Sequence, residues 1–470
     1  MNYIYMHKNN IKALLVAIVW MIIALIIREY MQYSISESVH NILTILNLFG
    51  YLLCMYSWIA CGNRAISIYN LFILYALLSN LGQSILFLCS VHWTLLSVYI
   101  NSTIAEVNYM LAFQLLCIAA LNLGATTYNY KRKNCISIQE QVAHYSKARP
   151  SMYNAKVEPI LMGLLFISLA YILMMALKML LLRQSVDYGD LYAIKAGWGG
   201  FYGQIIGVLS LVLCLRFIFR KRYIKIIYSW LVTLICIYMV VGTRSLMLPY
   251  LSILVITLPV TYPQFFKKKY IPVWIGLFII GFTLLGVVSA YRQSSIDAAS
   301  LSTGNSFWDY FIDTISEMGM STRTSLLTIE AINNGFPTHQ TILNTIINAF
   351  VPFVSNVEWI KAEYISCSTW VTDYAQSYHS GLGYCFIAEA YMNYGKYGWI
   401  ILLAYGWFLA YGENTAYRRI MQGKYLYALI LLVILSRQVF FARGQFDLIG
   451  GTIRISIYLS IIWFMIKRIR

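Results

Sequence analysis

Arginines near the ends of apolar segments are the residues of this chain whose chemistry is most informative. Arg244 and Arg443 each lie within two residues of a glycine, which lets the backbone approach a ligand closely. A planar guanidinium binds phosphate oxygens through two parallel hydrogen bonds and stays charged when partly dehydrated. Arg244 and Arg443 are therefore candidates for binding a diphosphate, with Arg437 and Arg323 as secondary contacts. The alternative stays open that such arginines only reach out to lipid headgroups.

One carboxylate lies in an otherwise apolar segment. If residues 384–394 form a helix, Cys385, Glu389 and Asn393 share a face because they are spaced four apart. Burial raises the pKa of a carboxyl group and favours proton transfer, whereas a neighbouring arginine holds it ionised. Glu389 is thus a candidate general base. A structural ion pair with an arginine or with Lys396 is the alternative.

Other polar residues are weaker candidates. Asp309, Asp313 and Glu317 fall on one face of a predicted helix, where they could bind hydroxyl groups or form a solvated surface. His379 could accept a proton near neutral pH, although a single histidine is more often polar surface. The six histidines show no paired spacing, and none of the nine cysteines forms a CxxC pair. The sequence therefore predicts no metal site and no cofactor.

The amino-acid composition indicates the class of protein in which these candidate residues lie. Of the 470 residues, 60% are hydrophobic and only 11% are charged, which excludes an ordinary soluble enzyme and a disordered protein. A net charge of +17 would suggest a nucleic acid partner in a soluble protein. In a chain this apolar, the basic charge is typical of the cytoplasmic loops of a membrane protein, so the expected partner is the lipid bilayer and not a nucleic acid.

Hydropathy predicts about 12 transmembrane helices in an all-α polytopic membrane protein, because each span needs about 20 mostly apolar residues. The predicted spans are residues 12–28, 41–60, 66–88, 104–125, 158–182, 201–219, 224–242, 245–262, 271–290, 397–412, 425–441 and 449–466.

The distribution of charge predicts the orientation. With the N-terminus inside, most of the 35 basic residues fall in inner segments, whereas only Glu140, Glu158 and Glu413 of the 18 acidic residues do. This asymmetry follows the positive-inside rule and places both termini in the cytoplasm. The first apolar run lacks a cleavage site for a signal peptidase, so we interpret it as a retained span.

A single integral-membrane domain, residues 1–470, is expected, with one large extracytoplasmic loop at residues 291–383. A loop of this length is usually functional. Its segment 341–354 has the pattern of an amphipathic helix lying on the bilayer surface.

Four segments resemble the O-antigen and oligosaccharide repeat-unit polymerases of the Wzy family. The longest is Gly381-Leu-Gly-Tyr-Cys-Phe-Ile-Ala-Glu389-Ala-Tyr391-Met-Asn393-Tyr-Gly395. The others are Gly242-Thr-Arg244, Arg443-Gly-Gln-Phe446 and Asp313-Thr-Ile-Ser-Glu317-Met-Gly319. The resemblance covers about residues 240–450, and the N-terminal half is similar only in being polytopic.

The resemblance implies a GT-C-like fold and a location in the bacterial cytoplasmic membrane. It implies an inverting, metal-independent glycosyltransferase whose donor and acceptor are both glycans linked to undecaprenyl diphosphate, and a chain-length regulator as a membrane partner. Arg244 and Arg443, with Arg437 and Arg323, would stabilise the leaving diphosphate, and Glu389 would act as the base. Substrate contacts would come from Asn393, Tyr391, His379, Asp313 and Glu317.

Two other functions stay open at the level of the sequence. An O-antigen ligase or another lipid-linked glycosyltransferase would use similar arginines with a different acceptor. A polysaccharide flippase or secondary transporter would typically show two internal repeats, and none is detected in this sequence.

Overall fold

The computed structural model describes most of the chain. The described residues are 2–91, 98, 102–131, 157–182, 201–241, 244–293, 306–338, 340–343, 345, 367–375, 384–422, 425–444, 446, 450 and 453–461. Within these ranges the regular structure is helical and no strand occurs. The all-α prediction is therefore confirmed.

Fifteen α-helices with defined bounds lie in the described residues. They are α1 (Asn2–Met31), α2 (Glu37–Ala60), α3 (Ile68–Leu88), α4 (Ile104–Lys131), α5 (Val157–Leu182), α6 (Phe201–Phe219), α7 (Ile224–Val241), α8 (Arg244–Thr261), α9 (Ile271–Gln293), α10 (Phe307–Gly319), α11 (Ser321–Asn333), α12 (Cys367–Ala375), α13 (Phe386–Tyr394), α14 (Trp399–Met421) and α15 (Tyr425–Phe441). Short 3₁₀ helices are Pro263–Phe266, Lys268–Tyr270 and Gly395–Tyr397.

Six of these helices, α1 to α5 and α7, contain segments long and apolar enough to cross a membrane. Four shorter apolar segments lie in α6, α8, α9 and α15, each within a predicted span. The protein is therefore a polytopic membrane protein. The total of twelve spans, the GT-C-like arrangement and the outer position of residues 291–383 stay predictions, although α10, α11 and α12 all lie within that segment.

Two compact units divide the chain. Unit 1 comprises residues 1–143, 315–415 and 441–450, and unit 2 comprises residues 144–314, 416–440 and 451–470. That the two units form one integral-membrane domain stays a prediction.

In unit 1, α4 is the central helix, with α1 and α2 packed against it. The helix α3 packs against α2, and α11 contacts α3, α4, α12 and α13. The buried carboxylate of Glu413 on α14 accepts hydrogen bonds from the backbone N–H groups of Ile68 (3.2 Å) and Tyr69 (3.0 Å). Since these N–H groups at a helix start lack partners within the helix, Glu413 fixes the beginning of α3 to α14.

In unit 2, α7 packs against α5, α6, α8 and α9. The Tyr228 hydroxyl lies 3.2 Å from Thr257 Oγ1 and 2.9 Å from Thr261 Oγ1, which connects α7 to α8. Arg222 forms an ion pair with Glu158 at 2.7 Å. These polar contacts connect α7 to α8, and the turn between α6 and α7 to α5.

Candidate functional site

The helix α13 carries the glutamate singled out in the sequence. At its start, Cys385 Sγ accepts a hydrogen bond from the backbone N–H three residues later (3.5 Å). Asn393 donates from Nδ2 to the backbone oxygen of Glu389 at 2.8 Å, as expected one helical turn away. Gly395 ends the helix with a φ of 54°, a conformation that favours glycine. The predicted helix and the shared face of Glu389 and Asn393 are confirmed.

Both carboxylate oxygens of Glu389 accept hydrogen bonds inside unit 1. Thr341 Oγ1 donates to Oε1 at 2.7 Å, and the backbone N–H of Phe446 donates to Oε2 at 2.6 Å. The side chain is 0% exposed. Through these two hydrogen bonds, the side chain of Glu389 connects α13 with residue 341 and with residue 446, which lie in three separate segments of the chain.

Asn393 completes this network. Its Nδ2 donates to Thr341 Oγ1 at 2.9 Å, and its Oδ1 accepts from the Ile342 N–H at 3.2 Å. Gln340 donates to the backbone oxygen of Asn393 at 3.0 Å, and Cys367 Sγ lies 3.5 Å from Thr341 Oγ1. Residues 340–342 are thus tied to α13. Sequence reasoning missed Thr341, because a single threonine in a predicted amphipathic helix carries no signal of such a contact.

Arg443 lies in the turn that follows α15. The Gly444 N–H donates to the Phe441 oxygen at 3.2 Å, which closes the turn. The rings of Phe441 and Phe446 pack edge to face at 5.3 Å. The backbone N–H of Phe446 also donates to Glu389. The half-buried Arg443 therefore lies between Phe441 and Phe446, which both contact other residues of the protein interior.

Arg323 lies on α11, and it is half-buried. Polar side chains of α11 contact the residues that precede α13. Ser325 Oγ lies 3.1 Å from Cys385 Sγ, and Thr328 Oγ1 lies 3.0 Å from the Tyr384 hydroxyl. Burial raises the pKa of the Cys385 thiol, so this cysteine is a structural contact rather than a nucleophile. The helix that carries Arg323 is therefore attached to the segment that leads into α13.

The predicted acidic stripe lies on a helix, α10. Asp309 caps its start, since its carboxylate accepts from the Ser306 N–H at 2.7 Å and its own N–H donates to Ser306 Oγ at 3.3 Å. Burial and the neighbouring Asp309 raise the pKa of Asp313 above its usual range. Asp309 therefore has a capping role, and Asp313 and Glu317 remain candidate substrate contacts.

Tyr391 lies on α13 and faces α4. Its hydroxyl lies 3.1 Å from that of Tyr109, and its ring packs edge to face against Phe113 at 5.1 Å. The side chain is only 5% exposed. In this arrangement Tyr391 contributes packing and one hydroxyl contact.

The remaining candidates lie in unit 2 or outside the described residues. Arg437 of α15 lies beside α6, where a Cβ added to Gly207 would be 3.4 Å from Nη2 of the arginine. Arg244 is the first residue of α8, but its side chain lies outside the described part of the structure, as does the whole of His379. Unit 1 thus contains Glu389, Asn393, Tyr391, Arg443, Arg323 and Glu317, whereas Arg244, Arg437 and Asp313 belong to unit 2.

A comparison with known protein families identifies the family of this chain. The family model for the O-antigen polysaccharide polymerase Wzy matches residues 13–470. Neither a curated protein nor a solved structure matches the chain.

Proposed function

The chain belongs to the O-antigen polysaccharide polymerase Wzy family, and we propose from this membership that it joins lipid-linked oligosaccharide repeat units into O-antigen or capsular polysaccharide. The reaction takes place at the outer face of the bacterial cytoplasmic membrane, with both termini of the chain in the cytoplasm. The substrates are a growing glycan and a single repeat unit, each on undecaprenyl diphosphate. A membrane protein that regulates chain length is a further partner in this proposal.

In the proposed reaction, a hydroxyl group of the acceptor attacks the anomeric carbon of the donor. A new C–O bond forms, the bond to the lipid diphosphate breaks, and the configuration at that carbon inverts. Negative charge develops on the departing diphosphate, and an oxygen of this leaving group can accept the proton that the hydroxyl group loses. Fixed cations directed at this charge lower the barrier most effectively in a site from which water is excluded.

The fixed turn that carries Arg443 is the observation that supports this proposal best. The turn is closed by its own backbone and is bound through Phe446 to the buried Glu389. Because the backbone that carries this guanidinium is fixed, less backbone freedom is lost when Arg443 binds a diphosphate, so more of the interaction contributes to catalysis. We assign Arg443 to the leaving diphosphate, with Arg323 of the same unit as a further cationic contact. For Arg244 and Arg437 the same role stays a prediction of the sequence.

The geometry favours an anchoring role for Glu389. A general base must come within hydrogen-bond reach of the proton that it removes. Both oxygens of Glu389 already accept hydrogen bonds from protein groups, and the side chain is excluded from solvent. We therefore propose that Glu389 holds the turn of Arg443 and the segment of Thr341 in place, in preference to the role of base that its sequence context suggests.

The glycan profile of a strain that lacks the gene tests this function. Complementation with the wild-type gene should restore a ladder of polymer lengths on a gel. Arg443→Ala should leave single repeat units while protein accumulates normally in the membrane. Arg222→Ala is the matched control, because it removes an arginine from an ion pair with Glu158 in unit 2 and should keep the ladder. A full ladder with Arg443→Ala would contradict the assignment.

The same gel separates the rival functions. Normal-length polymer that accumulates on its lipid carrier in the deletion strain would indicate a ligase. Repeat units retained on the cytoplasmic side would indicate a flippase.

A further inference from the structure

The C-terminal half of α3 in unit 1 contains buried polar residues in a helix apolar enough to span a membrane. Asn80 and Gln83 are 1% and 0% exposed. Polar side chains at such positions are costly in lipid and tend to have a specific function. This helix lies in the N-terminal half of the chain, outside the segments that carry the resemblance, so its polar residues need an explanation of their own.

Asn80 contacts the chain immediately before both candidate arginines of unit 1. Its Nδ2 donates to the backbone oxygen of Ala442 at 3.3 Å, one residue before Arg443. Its backbone oxygen accepts from Thr322 Oγ1 at 3.0 Å, one residue before Arg323. A single residue of α3 thus fixes the start of α11 and the turn after α15 relative to each other.

Gln83 and Gly82 of α3 contact the end of α10, next to the turn that leads into α11. Gln83 donates from Nε2 to the backbone oxygen of Ser316 at 3.0 Å, one residue before Glu317. A Cβ at Gly82 would lie 2.8 Å from the Ile315 oxygen, and one at Gly319 would lie 2.5 Å from the Gln83 nitrogen. These backbones approach so closely that only glycine fits, and the end of α10 therefore packs directly against α3.

We propose that Asn80 is a positioning residue for the transfer reaction, and this inference rests on the proposed function. Asn80 positions Arg443 and Arg323 so that both can bind the same leaving diphosphate. Asn80 does not contact the substrate. Its side chain acts through Ala442, and its backbone oxygen acts through Thr322. Gln83 helps by holding the neighbouring turn between α10 and α11 in place. A small displacement of either arginine would weaken stabilisation of the developing charge without preventing the fold from forming.

Asn47 of α2 provides a matched control. Its Nδ2 donates to the backbone oxygens of Leu43 in its own helix and Leu111 in α4, each at 2.9 Å. Asn80 likewise donates to Ala76 in its own helix at 2.9 Å and to a neighbouring segment. Both residues are buried, and among the described residues neither Oδ1 receives a hydrogen bond. The two asparagines therefore differ chiefly in whether the connected segment carries an arginine.

The test measures polymerisation by purified protein on a lipid-linked repeat unit, together with the thermal midpoint of unfolding. Asn80→Ala should lower kcat by about tenfold or more, since small misplacements of charged groups have effects of this size. Asn47→Ala should leave kcat close to wild type, and the two variants should unfold at similar temperatures. Equal kcat values for Asn80→Ala and Asn47→Ala would overturn the inference.

Thr322 provides a second route if Asn80→Ala does not fold. Thr322→Val removes the hydroxyl that donates to Asn80 and should lower kcat, whereas Thr322→Ser keeps the hydroxyl and should restore it. Loss of activity in both variants, or in neither, would contradict positioning through this bond. Inactive Arg443→Ala beside fully active Asn80 and Thr322 variants would overturn only this inference, whereas fully active Arg443→Ala would overturn the proposed role of the arginine itself.

Discussion

At the scale of single residues, the surroundings of Glu389 show which part of its role the sequence could indicate. The spacing of Glu389 and Asn393 on a helix was predictable, because residues four apart share a face. The donors Thr341 and Phe446 lie 48 and 57 residues away along the chain, and no local pattern predicts such contacts. The same limit applies to Asn80, which stands out in the sequence only as a polar residue within an apolar span.

Replacement of Glu389 distinguishes an anchor from a base. Glu389→Gln keeps one oxygen that can accept a hydrogen bond, so we expect reduced but measurable polymerisation by the purified variant. Glu389→Ala leaves the Phe446 N–H without its acceptor, which costs about 1–3 kcal/mol, and it should abolish polymerisation. Rates and thermal midpoints of both variants are the measurements. Complete and equal loss of rate in both, with wild-type thermal midpoints, would instead support general base catalysis.

Replacement of Arg443 by lysine tests whether charge alone is sufficient. Lysine keeps the charge but cannot bind two phosphate oxygens through a planar fork. We expect Arg443→Lys to lower kcat by about 10²–10³-fold, the size of effect seen when one stabilising donor is removed from an active site. The rate of release of lipid diphosphate measures this directly. A wild-type rate for the lysine variant would mean that simple neutralisation of charge suffices.

At the scale of elements, most helices could be predicted from hydropathy, whereas their packing could not. The six helices that are long and apolar enough to cross a membrane each overlap a predicted span, because such apolar runs have few other stable environments. The three helices α10, α11 and α12 lie in what the sequence indicated only as a long loop with some helical periodicity. Their contacts depend on side chains such as Thr322 and Ser325, which are individually too small and common to be informative.

Close contact between α4 and α14 depends on glycine. A Cβ at Gly406 would overlap with the backbone oxygen of Leu121, and one at Gly124 would overlap with that of Leu403. We therefore expect Gly406→Ala to destabilise the protein by about 1–3 kcal/mol, because the helices must separate.

Gly276 of α9 is the control for this prediction, since a Cβ there meets nothing within 4 Å. Gly276→Ala should be neutral or should stabilise by about 0.5–1 kcal/mol, because alanine favours the helix. Thermal unfolding of both variants in detergent measures the difference. Unchanged stability of Gly406→Ala would mean that the two helices are not held in close contact.

At the scale of the whole molecule, the distribution of charge carries the information about topology. Basic residues concentrate in the predicted inner segments, and both termini are expected in the cytoplasm. A fluorescent reporter that folds only in the cytoplasm should therefore be bright when fused to the C-terminus. A phosphatase that is active only outside the membrane should be inactive at the same position. The opposite pair of results would reverse the predicted orientation.

Polymerisation can be tested with purified protein and one substrate, an oligosaccharide repeat unit on undecaprenyl diphosphate. Products are separated by length, and released lipid diphosphate is measured in the same samples. We expect a ladder of glycans with one lipid diphosphate released for each new linkage, and loss of both products with Arg443→Ala. A wild-type protein that forms no linkage from this substrate, or an Arg443→Ala variant that forms them at the wild-type rate, would contradict this expectation.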